Sequence, residues 1–252
     1  MQPLSFFGKC GALLCVYDEN NNMRYTFLLF LLMISALSAQ AQLGIGGAYL
    51  TSSAQHWELR NSGASNPSLQ PPGTGYSVGL DYQFRLKKVR VEFAPELNYS
   101  HWSTPETNEL QTNSNWYSFF FNVRMYPFDL KGDCNCPTFS KRGKTFQKGF
   151  FVSLSPGITQ MNHVIPRGWG GVSFELKDQY TALNAALVLG LDLGISELIT
   201  VTPHAGWRYF PKTDWPSLST VASQSGYQPI DTEGALNQFH AGLRLGWRLG
   251  RR

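Results

Sequence analysis

The segment that most constrains the fold is an alternating run of eleven residues near the C-terminus, residues 239–249. Its odd-numbered positions are Phe, Ala, Leu or Trp, and its even-numbered positions are His, Gly or Arg. A β-strand places successive side chains on opposite faces, so this run predicts one apolar face and one basic or bare face. A helical period would scatter Arg244 and Arg248 among the leucines and leave two glycines inside the helix.

The length of this run also matches a membrane. At about 3.4 Å per residue and a tilt of about 40°, eleven residues rise about 28 Å, close to the apolar height of a transmembrane barrel strand. We therefore interpret the run as the closing strand of a membrane barrel.

An export signal precedes the region that we expect to fold. Residues 25–37 are continuously apolar but too short to span a membrane as a helix. They follow Met23-Arg24 and precede Ser38-Ala39-Gln40-Ala41, which is a small-x-small cleavage pattern. The sequence predicts a signal peptide at residues 23–41 and a barrel domain at residues 42–252, and we interpret residues 1–22 as an upstream extension from a misassigned start.

Composition favours contact with lipid. The chain is 42% hydrophobic and 14% aromatic but only 15% charged, which is unusual for a cytosolic domain. Its net charge of +4 is too small to indicate a nucleic-acid partner, and we expect none. Beyond the signal peptide only Cys134 and Cys136 are left, so no disulfide framework is predicted.

Eight runs of strand length follow one another in the expected mature chain. They are residues 42–51, 74–86, 89–101, 115–128, 150–161, 179–193, 199–210 and 239–249. The connections are long, short, medium, long, medium, short and long, as expected for short periplasmic turns and longer outer loops; only residues 129–148 break this order. We expect loops at residues 166–171 and 211–234, and a bulge or register change at Pro95.

The polarity of the two strand faces bears on whether the sheet is surrounded by water or by lipid. Each run opposes an apolar face to a charged or polar one, and alternation alone does not say which face is inside. A soluble β-sandwich or lipocalin-type barrel would bury the apolar face. Aromatic residues at the predicted periplasmic strand ends favour a girdle at lipid headgroups instead. This predicted girdle comprises Tyr82, Phe84, Tyr126, Phe128, Phe150, Phe151, Tyr209, Phe210 and Trp247.

The fold class predicted from these observations is all-β, an eight-stranded antiparallel up-and-down transmembrane β-barrel. From Gln42 to Leu249 the chain resembles the small outer-membrane β-barrel proteins of Gram-negative bacteria, the porin-like, OmpA/OmpX-like eight-stranded group. This resemblance implies a location in the cell outer membrane, a monomeric state, no cofactor, and the membrane lipids and the barrel insertion machinery as partners. That machinery reads an aromatic residue at the C-terminus, whereas here Trp247 is followed by five further residues.

The predicted inward faces carry charged side chains of both signs. Charges enclosed in an eight-stranded barrel should pair, because an unpaired buried charge costs several kcal/mol. Our interpretation is a plug of salt bridges and hydrogen bonds, and the alternative is a narrow conduit that favours anions. The predicted lumen charge network comprises Asp81, Arg90, Glu92, Glu96, Arg124, Asp192, His204, Arg208, His240, Arg244 and Arg248.

Two other sets of residues could carry chemistry. Serine, histidine and acidic residues near the outer strand ends could form the site of a lipid A-modifying enzyme, although neighbours in sequence are not a triad and we expect no enzyme. Cys134 and Cys136 lie among lysines, which could lower a thiol pKa; we interpret them as a possible thiol pair without an assigned role. The candidates for the enzyme are His56, Ser100, His101, Ser103, Glu106, Glu109 and His163.

The function predicted from the sequence is therefore structural or interactive. The barrel would anchor outer loops that bind a surface ligand, and its lumen would be plugged. A porin-like channel is the first alternative, and the enzyme is the second.

Overall fold

The computed structural model describes residues 41–59, 71–86, 90–104, 112–129, 149–169, 172–224 and 231–249, with only the backbone of residues 167–169 and 172–174. The strands are β1 (Gln42–Ser53), β2 (Thr74–Arg85), β3 (Val91–Ser103), β4 (Asn113–Met125), β5 (Phe150–Trp169), β6 (Val172–Leu191), β7 (Leu193–Gly194), β8 (Ile199–Asp214) and β9 (Glu233–Arg248). A short 3-10 helix (Gln55–Trp57) follows β1, and helix α1 (Pro216–Gln224) joins β8 to β9.

The strands close into a barrel. Each pairs antiparallel with its neighbours, β6 pairs with β8, and β1 pairs with both β2 and β9. Strand β7 is a two-residue continuation of β6 beyond Asp192 and also pairs with β8. Because β6 and β7 together form one strand of the wall, the wall has eight strands, and the predicted eight-stranded antiparallel barrel is confirmed.

The outer surface of the wall is apolar and its inner surface is polar. Ile45, Leu97 and Leu183 are 55%, 64% and 69% exposed, and their neighbours in sequence point inward and are covered. Asp81, Arg124 and Arg244 are buried in the interior. This polarity is the reverse of that of a soluble barrel, so the lipocalin-type alternative is wrong.

The interior changes character along each strand. On β5 the inward side chains are Ser155 and Thr159 and then Met161; on β8 Arg208 is followed by Phe210. The outward side chains change in the opposite sense, from Ile158 to Gln160 on β5. The wall therefore leaves the lipid at this level, and beyond it the barrel has an apolar interior and a polar exterior.

Strands β5 and β6 extend further than the sequence predicts. They pair without interruption up to Trp169 opposite Val172, so the loop expected at residues 166–171 is wrong for residues 166–169. Inward His163 and Ile165 are fully buried, which gives this part of the hairpin an apolar core to cover. Pro166 is tolerated because β4 pairs with β5 only as far as Val164, and one edge of β5 needs no donor beyond that point.

Pro95 interrupts a ladder without shifting its register, whereas Pro211 lies at a register shift. The pairing of β2 with β3 skips from Asp81–Glu96 to Phe84–Phe93 at Pro95, and the register is the same on both sides. The bulge or register change expected at Pro95 is therefore wrong: a proline lacks the N–H group, so it removes ladder bonds on one side only. A true register shift occurs between Phe210 and Thr213, around Pro211.

The described residues of the range 211–234 do not form the polar loop that the sequence predicts. β8 continues to Asp214, and α1 buries Leu218, Val221 and Ala222 on one face, which is helical spacing. Pro216 begins the helix, where a missing N–H group is harmless. The carboxylate of Asp178 on β6 accepts hydrogen bonds from the backbone N–H (2.9 Å) and the hydroxyl group of Ser217, so it caps the helix.

The predicted aromatic girdle is correct in part. Phe84, Phe128 and Trp247 are exposed at the end of the barrel where β1 begins. Tyr126 and Phe151 are buried inside the barrel instead. Tyr209 and Phe210 lie near the opposite end, because β8 runs away from the end where β1 begins.

The part of the chain that the structure describes contains no helix that is long and apolar enough to cross a membrane.

The Asp178 cap gives a prediction about α1. Asp178→Ala leaves a helix N–H group without its acceptor, and we expect α1 to lose about 1 kcal/mol of local stability. Amide hydrogen exchange in residues 217–224 should become faster, while exchange in the barrel strands stays unchanged. Glu175→Ala removes an exposed carboxylate from the same strand and is the control; equal acceleration in both variants would contradict the capping role.

Candidate functional site

The barrel has an inner and an outer end. We assign the end where β1 begins and β9 ends as the inner one, because the short connections at residues 86–90 and 195–198 lie there. The longer connection at residues 126–149 also lies at this end. The interior holds three layers: a charge plug at the inner end, a polar cavity, and an aromatic cap at the outer end.

The first part of the charge plug is an ion pair across the barrel seam. Arg244 on β9 donates from Nε and Nη2 to the two carboxylate oxygens of Asp81 on β2, at 2.6 Å each. Both side chains are about 5% exposed. Strand β1 lies between them and carries Gly44 opposite Asp81, where a Cβ atom would collide with both partners. The glycine therefore lets the bidentate pair form over the intervening strand.

The second part of the plug is centred on Tyr126. Its hydroxyl oxygen lies 2.7 Å from Oε2 of Glu92 and 2.5 Å from Oδ2 of Asp192, so one hydroxyl group links two buried carboxylates. The guanidinium group of Arg90 lies 3.8 Å over the Tyr126 ring and pairs with Asp129. This arrangement ties β3 to the break between β6 and β7.

Neutral side chains complete this cluster. Gln83 donates to Glu92 and accepts from Arg124 at 2.8 Å. The Thr202 hydroxyl group donates to Asp192 at 2.6 Å. Because the side chains meet from β2, β3, β4 and β8, the cluster fixes the relative register of strands on opposite sides of the barrel.

The polar cavity lies next to the plug and has a volume of about 70 Å³. Glu96, Arg208, His204 and His240 are among the residues that line it. Glu96 accepts hydrogen bonds from the amides of Asn98 (3.0 Å) and Asn122 (2.8 Å). A cavity of this size and polarity has room for water that links the charged groups.

Arg208 closes this cavity on the outer side. Its guanidinium group lies 3.9 Å over the ring of Phe120 and donates to Gln238 at 3.2 Å. The described residues show no ion pair between Arg208 and Glu96 within 4 Å. The two opposite charges therefore line one cavity with neutral partners.

The aromatic cap fills the outer end. Trp57, Trp102, Trp116, Phe210 and Trp215 are at most 1% exposed and pack with α1 in one apolar cluster. The ring of His163 stacks on Trp215, with 4.0 Å between centroids, and the Trp57 indole donates to the Thr232 carbonyl at 2.8 Å. The 3-10 helix, α1 and the outer parts of the strands thus form one core above the lumen.

The residues of the predicted lumen charge network have different partners in the structure. Asp81 meets Arg244, Arg90 lies 4.0 Å from Glu92, and Asp192 lies near Glu92 through Tyr126. Arg248 is half-buried at the inner rim, and its backbone N–H group donates to Leu198. Cys134 and Cys136 lie outside the described residues.

Sequence reasoning missed Tyr126 and Gln238 as members of the interior. Tyr126 has the same parity as inward Asn122 and Arg124, so extending the alternation by two residues would have found it. Gln238 precedes the predicted closing strand on an inward position, but a neutral amide gives no signal that it will join a charged group. Gln83 is expected on the inward face and lies there, buried.

The residues considered for an enzyme do not form a hydrolytic site in the described part of the chain. His163 is one of these candidates, and it lies on β5 between Ser114 on β4 and Asp178 on β6, neither of which is among the sequence-predicted candidates. The Ser114 hydroxyl lies 2.7 Å from Nδ1 of His163, but Nε2 has no partner, and Asp178 caps α1. Ser114 and His163 are at most 1% exposed beneath the cap, so no substrate reaches them.

The other candidates for the enzyme are also engaged elsewhere or lie apart. Ser100 donates to Asn98, Nδ1 of His101 lies 2.8 Å from Oδ1 of Asn115, and Nε2 of His56 lies 3.4 Å from the Thr213 hydroxyl. Ser103 is exposed at the end of β3. Glu106 and Glu109 lie outside the described residues. Within the described ranges no group of three or more His, Cys, Asp or Glu residues is placed to hold a metal ion.

The polarity of the wall identifies the surroundings of the protein. A closed barrel satisfies every strand edge internally, and a band of exposed apolar side chains around a polar interior is stable only where lipid is the outer solvent. The chain is an outer-membrane β-barrel protein. This architecture belongs to the Gram-negative cell envelope.

Solved structures of outer-membrane barrels are similar to this one. Neisserial surface protein A matches with a TM-score of 0.44 and 11% identity, covering 83% of this chain and 97% of that chain. Ail of Yersinia pestis, in complex with the heparin analogue sucrose octasulfate, matches with a TM-score of 0.42 and 10% identity over 82% and 99% of the two chains. OprG from Pseudomonas aeruginosa matches with a TM-score of 0.36 and 11% identity over 83% and 97%. At these identities the likeness concerns the fold alone.

Sequence comparisons add no relative: no protein-family model matches the chain, and no significant match was found among curated proteins.

The seam ion pair of this outer-membrane barrel gives a stability prediction. Arg244→Ala leaves the Asp81 carboxylate buried and uncompensated, and we expect a loss of about 3–5 kcal/mol in the free energy of unfolding. Urea titration of the refolded barrel, followed by heat-modifiable gel migration, measures it.

Two controls test this explanation. The double variant Asp81→Leu/Arg244→Met removes both charges and should recover part of the loss. Lys212→Ala breaks the exposed pair with Glu233, whose side chains are 56% and 53% exposed, and should leave the unfolding midpoint unchanged. A loss of equal size in the single and double variants would show that packing, rather than the charge, matters at Arg244.

His163 makes the cap sensitive to acid. It lies beyond the exposed apolar band, which ends on β5 at Ile158, and burial lowers the pKa of its imidazole from 6.5 to about 3. The folded cap therefore binds fewer protons than the unfolded one, so this contribution to its stability is complete above pH 6.5 and is lost as the pH falls toward 3. Ser114, the rings of Trp57, Trp116 and Trp215, and Asp178 on the neighbouring strand surround the group.

We expect tryptophan fluorescence of the cap to become more accessible to an aqueous quencher between pH 6 and pH 4. His163→Phe keeps a ring on Trp215 and should flatten this profile. A profile that is unchanged in His163→Phe would assign the transition to another group.

Proposed function

We propose that this outer-membrane barrel is a sealed scaffold with a structural or surface-interaction role. The observation that supports it is the filling of the interior at both ends, with the charge plug below and the aromatic cap above. A lumen closed twice by unrelated means favours a barrel that presents its outer surface over one that conducts solutes.

The balance of charges supports the plug. The buried arginines of the interior are Arg90, Arg124, Arg208 and Arg244; the buried acids are Asp81, Glu92 and Asp192, and Glu96 lines the cavity. Charges that bond to one another or to amides are compensated inside the barrel, which weakens the field that would attract anions. The conduit for anions is therefore the weaker candidate.

The outer surface is where we expect a partner. The cap turns its apolar residues inward, and exposed Thr220, Ser223 and Gln224 on α1 are polar. The exposed ion pairs Lys177–Glu175 and Lys212–Glu233 flank this surface. A surface ligand would then meet a rigid, hydrogen-bonding platform, and the connections around it could add contacts.

Single-channel conductance tests the sealed lumen. The refolded residues 42–252 should give no stepwise current in planar bilayers after heat-modifiable migration has established a folded barrel. Glu96→Ala and Arg244→Ala should also be silent but less stable, because the cap still closes the outer end.

Trp116→Ala/Arg244→Ala removes one large side chain from the aromatic cap and one from the charge plug in the same barrel, and we expect it to conduct more readily than either single variant. Stepwise anion-selective currents from the unaltered barrel, changed by Glu96→Ala, would support the porin-like channel and overturn the scaffold. Release of acyl chains from lipid A by the unaltered barrel would support the enzyme.

A further inference from the structure

A groove of about 940 Å³ runs across the lipid-facing side of β1 to β6. It separates two rows of outward side chains that the strand register places in line. The row on the inner side is wholly apolar. It comprises Ile45, Leu80, Leu97, Phe119 and Ile158.

The row on the outer side of the groove is mixed. It places Val78, Tyr99, Tyr117, Gln160 and Thr181 in register on five consecutive strands. Tyr117 is 54% exposed, and Gln160 and Thr181 are exposed as well. The groove therefore has an apolar wall on one side and a wall with hydroxyl and amide tips on the other.

A third row lies one step further outward and is polar. It comprises Tyr49, Tyr76, His101, Asn115, Asn162 and Gln179. Oδ1 of Asn115 accepts from the Tyr99 hydroxyl group and faces Nδ1 of His101, both at 2.8 Å. Both contacts involve the amide oxygen, and the described residues show no hydrogen bond from the N–H groups of Asn115, so these groups are available for a ligand.

The charges around the groove narrow the kind of ligand. None of the residues in the three rows is acidic, lysine or arginine. A phosphate group would be recognised by Arg or Lys, whereas tyrosine, asparagine and glutamine side chains suit sugar hydroxyl groups. On the same side, the exposed ion pair Lys177–Glu175 lies on β6 beyond Gln179, and its two charges neutralise each other at 2.8 Å.

We propose that this groove is a binding site for one glycolipid of the outer leaflet. An acyl chain lies along the groove between the apolar and mixed rows, and the sugar headgroup takes hydrogen bonds from the polar row at the membrane–water boundary. The site rests on the outer-membrane assignment but not on the sealed lumen. A conducting barrel that still enriches glycolipid would therefore overturn the proposed function and keep this site.

Native mass spectrometry of the barrel released from nanodiscs tests the site. The discs contain phosphatidylethanolamine with a small fraction of diglucosyl diacylglycerol or, in a parallel set, the same fraction of phosphatidylglycerol. We expect one copy of the glycolipid per barrel, enriched at least fivefold over its share of the disc, and no enrichment of phosphatidylglycerol. Equal enrichment of both lipids, or of neither, would overturn the proposal.

Matched variants localise the binding. Leu97→Trp fills the groove and should lower the enrichment at least fivefold, while Leu243→Trp alters an equally lipid-exposed leucine on the opposite side and should not. Asn115→Ala should lower it severalfold, with Asn237→Ala as control. Equal losses in a variant and its control would overturn the site.

A competition experiment tests the role of the acyl chain. The free disaccharide headgroup without acyl chains should not displace the glycolipid, because the groove provides most of the contact area. Displacement by the free sugar would assign the binding to the polar surface alone and overturn the role of the groove.

Discussion

The ladder between β1 and β9 is the interaction on which the rest of the structure depends. It pairs Gln42–Ser53 with residues 237–248 without interruption. In lipid no water can satisfy an open sheet edge, so the wall is stable only when this seam is closed. The Arg244–Asp81 pair crosses the seam from inside and joins side chains 163 residues apart. Gly44 makes the crossing possible, so a residue without a side chain determines where this bidentate pair forms.

Closure of the wall then dictates how the interior is filled. A barrel of eight strands encloses too little space for bulk water, so side chains must occupy the lumen. At the level of the lipid they are polar because the apolar positions face outward; above the lipid, where the outside meets water, the pattern reverses. Ser118 gives way to Trp116 on β4 and Gln238 to Leu236 on β9. One chain therefore builds an inverted core and an ordinary one within the same strands.

This reversal explains what the sequence could and could not predict. The alternation of apolar and polar side chains is a local property of each strand, so the eight strands of the wall and their lipid-facing sides were predictable from positions such as Tyr76, Val78 and Leu80. The pattern of a polar inside and an apolar outside fails beyond the lipid, and therefore the sequence predicts a loop where the outer parts of β5 and β6 lie. Helix α1 has three buried apolar residues among serines and threonines, and it is held by Asp178 from another strand. The partners in the interior come from distant strands, so parity could place Arg244 in the lumen but not beside Asp81.

The same division restricts where a function can be located. The interior at lipid level is joined by buried hydrogen bonds, and each of these side chains also fixes the register of strands, so altering one for a ligand would weaken the wall. The cap core is apolar and closed. Two surfaces are free of that constraint: the polar outer face, and the lipid-facing rows where Tyr99 and Asn115 hydrogen-bond to each other at the edge of a groove. Substitutions there change what the barrel meets without changing how it closes, and recognition can therefore diverge while the fold is kept.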